Sequence, residues 1–184
     1  MFYRKEVIVP TAYNPYIQAA NENELTDALR KSTKQFRKLL KNIPPKKINY
    51  AYAEGKWTIK ELFQHVMDAE RVFVVRALWF SRKDPTALPG FDENTWADTA
   101  NAASRKWKDM IDEFKSLRSS TEAFFGSLDP EQLQLSGTAN NNVMNVGGLG
   151  FVCAGHVNHH IRIIKERYLA NAVPEKGKKK NKNR

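Results

Sequence analysis

The hydrophobic residues of the chain recur every three or four positions in four separate segments, which is the spacing of amphipathic helices. The first segment runs from about Asn23 to Ile43 and ends at Pro44-Pro45, which cannot continue a helix. The second begins at Thr58, where Thr-Ile-Lys-Glu matches a capping box, and its apolar positions continue to about Phe80. Both segments are therefore predicted to be helices with one buried face.

Two further helices are predicted in the second half of the chain. The third runs from about Thr99 to Leu128, and the fourth from about Val146 to Leu169. Between them, Asp129-Pro130-Glu131 is typical of the start of a short extra turn. The stretch SGTANNNVMNVGG that follows is expected to be polar and flexible, and no segment shows convincing strand alternation.

Four amphipathic helices of about 20 residues or more predict an all-α fold, a four-helix bundle with one shared core. The connections between consecutive helices are about 14 to 18 residues long, which permits crossovers. The pattern alone therefore leaves the arrangement of the helices open. We expect residues 22–170 to form the bundle, residues 1–21 an N-terminal extension, and residues 171–184 a disordered Lys-rich tail.

The net charge of +10 is unevenly distributed, because the last ten residues contain six basic side chains and one acid. Such a tail is most simply a solvated terminus. Contact with nucleic acid through it would be non-specific and salt-sensitive, and it has no aromatic residue on which a base stacks. Specific nucleic-acid binding is therefore not expected.

The composition is that of an ordinary globular protein, with 41% hydrophobic and 27% charged residues. No stretch approaches about 18 uninterrupted apolar residues, so no membrane span is expected. The N-terminus lacks the apolar run of a signal peptide. One cysteine, Cys153, cannot form an internal disulfide, which is compatible with a reducing compartment. We expect a cytoplasmic protein.

Three of the four histidines have the spacing of metal ligands. His156 and His160 are four residues apart on the fourth helix, so both rings project from one face, which is the face predicted to be buried. His65 borders the buried face of the second helix. Three buried imidazoles without partners are costly, and a divalent metal removes that cost while keeping at least one coordination position open. The candidate metal ligands are therefore His65, His156 and His160.

Simpler interpretations of these residues stay open. Two histidines four apart on a helix are weak evidence by themselves, and His65 alone is typical of a hydrogen-bonded core residue. Cys153 lies three residues before His156 and is either a fourth ligand, a reactive thiol or a small buried hydrophobe; the last is favoured. His159 points towards the flank of the helix and is interpreted as a residue beside the ligands or on the surface.

Three motifs of the chain together resemble the DinB/YfiT-like superfamily, over about residues 22–170 and in the same order. They are Lys56-Trp57-Thr58-Ile59-Lys60-Glu61 followed by His65, Asp68, Glu70 and Arg71; Gly90-Phe91-Asp92-Glu93 with Trp96; and Gly155-His156-Val157-Asn158-His159-His160. The resemblance implies a bundle of up-down-down-up type in which His65, His156 and His160 match the family's metal-binding triad position by position. It also implies a homodimer.

What the resemblance implies about activity is a metal-dependent transferase that uses a low-molecular-weight thiol such as bacillithiol, mycothiol or glutathione on a small-molecule substrate. Zinc or nickel is the expected metal, with iron or manganese as alternatives. Arg71 and Arg76 are candidates for binding the carboxylates of a thiol, although a solvated helix face is the simpler interpretation and is preferred. Catalytic and cofactor-binding residues are not assigned.

Two other functions stay open. One is metal-assisted hydrolysis, for which Asp68 or Glu70 is a conceivable base. Asp68 is equally suited to orienting the His65 ring, and Glu70 to pairing with a nearby basic residue. The other is metal or ligand binding without turnover, as in a stress-response binding protein.

Overall fold

The computed structural model describes residues 1–170, and the Lys-rich tail predicted for residues 171–184 lies outside them. The structure is mainly helical. Its α-helices are α1 (Asn14–Ala19), α2 (Leu25–Lys41), α3 (Ile59–Ser81), α4 (Glu93–Thr99), α5 (Trp107–Ser127), α6 (Pro130–Gln134) and α7 (Val146–Ile163), the last of which continues as a π-helical turn over Ile164–Leu169. Short 3-10 turns cover Arg4–Glu6, Thr11–Tyr13, Pro45–Lys47 and Ala102–Ser104.

The long helices α2, α3, α5 and α7 form a four-helix bundle in which α7 packs against both α2 and α3, and α5 packs against the same two helices. The buried residues form two layers, and the layer in which each end of a helix lies shows the direction of that helix. The first half of α2 and of α7 lies in one layer, which includes Leu25 and Leu149, and their second halves lie in the other, with Phe36 and Val157. Helices α3 and α5 run the opposite way, so the predicted up-down-down-up bundle is confirmed.

The capping box predicted at the start of the second helix is present. The Thr58 hydroxyl accepts the Glu61 backbone N–H, and the Glu61 carboxylate accepts the Thr58 N–H, which satisfies two amides that the helix itself cannot. At the start of α7, the Asn145 side chain accepts from the Gly148 backbone N–H. Both caps position the helices that carry the three candidate ligands.

The predicted start of the third helix near Thr99 is wrong. Helix α4 ends there, and α5 begins only at Trp107. Between them, Asn101 adopts a left-handed backbone conformation with φ of 51°, which interrupts the right-handed helical path. An apolar spacing that spans two helices does not reveal such a break, because it reports side-chain types and not backbone angles.

The expectation of a flexible stretch without strands after α6 is also wrong. Two strands, β1 (Ser136–Ala139) and β2 (Asn142–Asn145), pair antiparallel as a hairpin. Asn140 and Asn141 make its two-residue turn, both with positive φ, a conformation that asparagine tolerates better than most residues. Strands of four residues are too short to show a clear alternation in the sequence.

The N-terminal residues pack on the bundle, mainly against α7. Phe2 is buried in the core layer near the start of α7, and α1 lies along the same helix. Gly155 permits the close approach of α1, since a Cβ at this position would lie 1.8 Å from the Tyr16 carbonyl oxygen. This contact holds the Tyr16 side chain beside the histidines of α7.

The Arg118 guanidinium, which extends from α5, is fully buried and contacts the other three long helices of the bundle. It forms an ion pair of 2.9 Å with the buried Glu70 carboxylate of α3. It also donates to the Leu29 carbonyl and the Ser32 hydroxyl of α2, and at 3.5 Å to the Cys153 carbonyl of α7. A buried charge of this kind is tolerated only when its partners are complete.

We therefore expect Glu70→Gln to lower the free energy of unfolding by about 3 kcal/mol, because it leaves the Arg118 cation buried without its counter-charge. Urea unfolding followed by circular dichroism measures this change. Lys108→Gln breaks the exposed Lys108–Asp112 pair and serves as the control, with no measurable change expected. Equal effects of the two substitutions would contradict this view of the buried pair.

Candidate metal centre

His65, His156 and His160 meet between α3 and α7, and their ligand nitrogens all lie within 4.8 Å of one another. The Nε2 atom of His156 is at the centre, 3.1 Å from Nε2 of His65 and 3.0 Å from Nε2 of His160. This convergence follows from the opposite directions of α3 and α7, which bring the first half of α3 beside the second half of α7.

The surroundings keep the three rings uncharged. Burial lowers the pKa of His156 and of His160 well below the usual range, and nearby histidine charges lower both further. The same causes lower the pKa of His65, the least buried of the three, to about 4, with burial as the larger cause and His159 as the smaller. All three imidazoles are therefore neutral near pH 7, the form in which histidine binds a metal.

The donor set fits a cation better than it fits hydrogen bonds among the rings. Nε2 of a neutral imidazole has either one proton or one lone pair in the ring plane, so Nε2 of His156 forms one in-plane hydrogen bond and not two. It nevertheless has two close nitrogen neighbours. Two imidazole nitrogens at 2.0–2.1 Å from one ion stand about 3 Å apart, which matches both separations.

Aromatic side chains hold the rings in place. The Tyr16 ring contacts His156 edge to face, with centroids 5.1 Å apart, and Phe73 contacts the same ring at 5.8 Å. Trp57 lies beside His65 with centroids 4.8 Å apart. These contacts restrict the orientation of two of the three imidazoles, so that little ordering is needed when a ligand binds.

A pocket of about 240 Å³ opens beside His160. Its walls include the aromatic residues Tyr52 and Trp57 and the basic residues Lys56 and Arg167. Arg167 is held by a hydrogen bond of 3.0 Å to the Tyr52 hydroxyl. The pocket thus offers a small molecule an aromatic and positively charged approach to the histidines.

The carboxylates considered as bases do not lie at the histidines. Asp68 accepts from the Gln64 amide and pairs with Arg71, so it does not orient His65. Glu70 is occupied by Arg118 and the Thr121 hydroxyl in the core. Neither the orienting role considered for Asp68 nor a catalytic role for Glu70 fits these contacts.

Cys153 and His159 lie where the simpler interpretations put them. The Cys153 thiol is buried, and burial together with the Glu70 charge raises its pKa well above the usual range, so it stays protonated. His159 is half-buried and packs against Tyr16 and His160. Among the residues that the structure describes, the metal-ligand cluster contains His65, His156 and His160, and neither of these two residues.

The two arginines of α3, Arg71 and Arg76, differ in how exposed they are. Arg71 is partly exposed and forms ion pairs with Asp68 and Glu113. Arg76, for which a solvated helix face was preferred, is instead buried, because the segment around Pro89 covers it and accepts its hydrogen bond. Periodicity did not reveal this, since a loop and not another helix buries the side chain.

Sequence reasoning also missed Tyr16, which lies in the segment expected to be a mere extension. Its place beside His156 depends on the packing of α1 on α7, through Gly155. The aromatic residues of the sequence PTAYNPY are the one local signal of that packing, since exposed extensions are rarely aromatic.

Comparison with known proteins shows one family over most of the chain. The model of the DinB superfamily matches residues 28–164. The solved structure of YfiT from Bacillus subtilis, described as a probable metal-dependent hydrolase with an unusual four-helix bundle topology, superposes with a TM-score of 0.66 at 15% identity. That likeness covers 86% of this chain and 87% of YfiT, and at this identity it establishes the fold.

Two curated relatives from Geobacillus share part of the sequence. A protein of Geobacillus thermodenitrificans is 29% identical over 87 residues, which is 47% of this chain and 49% of the relative. A protein of Geobacillus kaustophilus is 28% identical over 85 residues, 46% of this chain and 48% of the relative. Both are named as candidate metal-dependent hydrolases, and this chain spans about half the length of each.

The low pKa of His65 predicts how the stability of the metal-free protein depends on pH. Between about pH 6.5 and pH 4 the unfolded chain binds a proton at this residue and the folded chain does not, so the free energy of unfolding falls as the pH falls. In the presence of a chelator, His65→Gln should make this slope shallower by about 1 kcal/mol per pH unit near pH 5 to 6. Identical slopes in urea unfolding would contradict the prediction.

Proposed function

The chain belongs to the DinB superfamily, and we propose that it is a metal-dependent enzyme in which His65, His156 and His160 bind one divalent cation. The observation that supports this most is that Nε2 of His65 and Nε2 of His160 each lie about 3 Å from Nε2 of His156. Zinc or nickel suits such a donor set, with iron or manganese as alternatives. Three protein ligands leave a position for a reacting molecule.

The reaction that we propose is transfer of a low-molecular-weight thiol to an electrophilic small molecule. His65, His156 and His160 would hold the cation, which would lower the pKa of a nearby thiol or water molecule and so would supply a nucleophile near neutral pH. The sulfur then bonds to the electrophilic carbon, the leaving group departs with the electron pair of its bond, and the thiol proton passes to solvent. The candidate thiols are the three that the resemblance implies, namely bacillithiol, mycothiol and glutathione.

The residues around the triad support an anionic partner. Three neutral imidazoles contribute no negative charge, and Lys56 and Arg167 add positive charge to the pocket beside His160. A thiol with carboxylates, such as glutathione, suits this charge. Trp57 covers one side of His65 and limits the access of water there.

A second candidate is hydrolysis by water at the same site, and the names of the two Geobacillus relatives favour it. Against it stands the position of the acidic residues, because Asp68 and Glu70 are engaged by Arg71 and Arg118 and do not reach the triad as a base. We place thiol transfer first because the basic pocket beside His160 suits a thiol that carries carboxylates. Binding of metal or ligand without turnover is the third candidate.

The partners of the protein stay predictions as well. We expect a small-molecule substrate, a homodimer and a cytoplasmic location. Among residues 1–170, no helix combines the length and the apolar character that a membrane crossing demands.

Substitution of the ligands should remove the metal. We expect one equivalent of metal in tag-free wild type by mass spectrometry, and none in folded His65→Ala, His156→Ala or His160→Ala, because two imidazoles hold a cation far less tightly than three. His159→Ala is the matched control, since His159 neighbours the triad without belonging to it. The metal content of His159→Ala should equal that of wild type. If His159→Ala lost the metal while the three triad variants kept it, the assignment would be contradicted.

Thiol transfer should depend on the same ligands. With bacillithiol, mycothiol or glutathione and the chromogenic electrophile 1-chloro-2,4-dinitrobenzene, we expect conjugation by metal-loaded wild type and a loss on the order of 100-fold in His160→Ala, with His159→Ala unchanged. Absence of conjugation together with metal-dependent cleavage of ester or phosphoester substrates would favour hydrolysis. Inactivity in both panels with the metal bound would favour binding without turnover.

A further inference from the structure

Arg76 is a buried cation without a counter-charge. Its side chain is 2% exposed, yet among residues 1–170 no carboxylate forms an ion pair with it. The guanidinium has five N–H donors, and its recorded acceptors are the Pro89 carbonyl at 2.9 Å and the Tyr13 hydroxyl at 3.5 Å. Arg118, buried to the same degree, has a full set of partners that includes Glu70. The contrast indicates that Arg76 is prepared for a partner that the chain does not supply.

The Arg76 side chain lines a groove of about 370 Å³ between α3 and the segment that leads into α4. The groove is within the usual size range of small-molecule sites, about 300–1,000 Å³. Apolar side chains form most of its walls, and Trp96 and Phe91 form an aromatic pair with centroids 4.7 Å apart at one side. The residues concerned are Val72, Val75, Leu88, Pro89, Phe91 and Trp96.

The groove begins close to the histidine triad. Asp68 and Val72, which line it, follow His65 by one and two helical turns on the same face of α3. One turn is about 5.4 Å, so the near end of the groove lies about one turn of α3 from His65. Phe73, the residue after Val72, contacts the His156 ring directly.

We propose that this groove binds a small amphipathic anion, with a carboxylate on Arg76 and an apolar or aromatic body between Val75 and Trp96. The planar fork of a guanidinium matches a carboxylate through two parallel hydrogen bonds. The apolar walls exclude a strongly hydrated ion and favour an organic acid. Binding of the anion in the groove does not depend on the proposed function. Only the further step, that this anion is the electrophilic substrate, rests on the proposed function.

The depth of Arg76 argues for a small molecule and not for a second copy of the chain. With 2% of its side chain exposed, Arg76 accepts a slender carboxylate but not a broad protein surface. The rim of the groove, formed by Val75 and Trp96, is in contrast open to solvent, since Val75 is 47% and Trp96 is 43% exposed. A ligand therefore enters past the rim with its charged end first.

The test uses the metal-free, full-length protein, so that binding is measured separately from any metal-dependent activity. The probe is 4-phenylbutyrate, and the comparison is its neutral isostere 4-phenylbutyramide, both titrated by calorimetry at pH 7. We expect the acid to bind at least about tenfold more tightly than the amide. In Arg76→Gln that preference should disappear while the amide binds as in wild type.

Two exposed tryptophans provide a matched pair of variants that need not disturb folding. Trp96→Ala removes a wall of the groove, whereas Trp79→Ala removes a residue of similar exposure, 37%, on α3 outside it. We expect at least about tenfold weaker binding of 4-phenylbutyrate in Trp96→Ala and unchanged binding in Trp79→Ala.

Three results would overturn the proposal: equal affinity for the acid and the amide, equal effects of the two tryptophan variants, or no binding at millimolar probe. A concentration-dependent dimer in sedimentation that Trp96→Ala abolishes and Trp79→Ala leaves intact would assign the groove to a second copy of the chain, and would overturn it as well. Failure of the thiol and hydrolysis assays leaves this binding result untouched, so the two proposals fail separately.

Discussion

The ion pair between Arg118 and Glu70 is the interaction on which the arrangement of the bundle depends, since the Arg118 guanidinium contacts α2, α3 and α7 from its position on α5. Glu70 lies five residues after His65, and the Cys153 carbonyl lies three residues before His156. The pair therefore holds α3 and α7 in register within about one and a half turns of the candidate ligands. A shift of α3 along α7 would break the buried pair and would also separate His65 from His156 and His160. The packing of the core and the geometry of the site therefore depend on the same contact.

Buried polar groups in this protein differ in how completely their hydrogen bonds and charges are paired. Arg118 and Glu70 have complete sets of partners and serve the fold. The three histidines face one another, with more close nitrogen contacts than hydrogen bonds among them can satisfy. Arg76 has no carboxylate partner among residues 1–170. Because burial without partners costs free energy, the second and third cases point to ligands that come from outside the chain.

Much of the site could be predicted because its signals are local. His156 and His160 share a helix face by their spacing alone, and Thr58 and Glu61 mark the start of α3 through a capping box that the structure contains. Two of the failed predictions concern places where few residues make an element. Asn101 interrupts a helical pattern through its backbone angle, and the hairpin at Asn140 and Asn141 has strands of only four residues. In both cases the decisive quantity is a backbone angle of one or two residues, which apolar spacing does not report.

The sequence by itself determined the four amphipathic helices, the capping box at Thr58 and the pair of histidines on α7, because these depend on residues within one or two turns of each other. The tertiary structure alone decided that His65 reaches that pair, that Arg118 contacts three other helices, that Tyr16 packs on His156, and that a loop buries Arg76. Each of these contacts joins segments far apart along the chain. Their formation depends on the directions in which helices pack, and a periodic pattern says which face of a helix is buried but not what it is buried against.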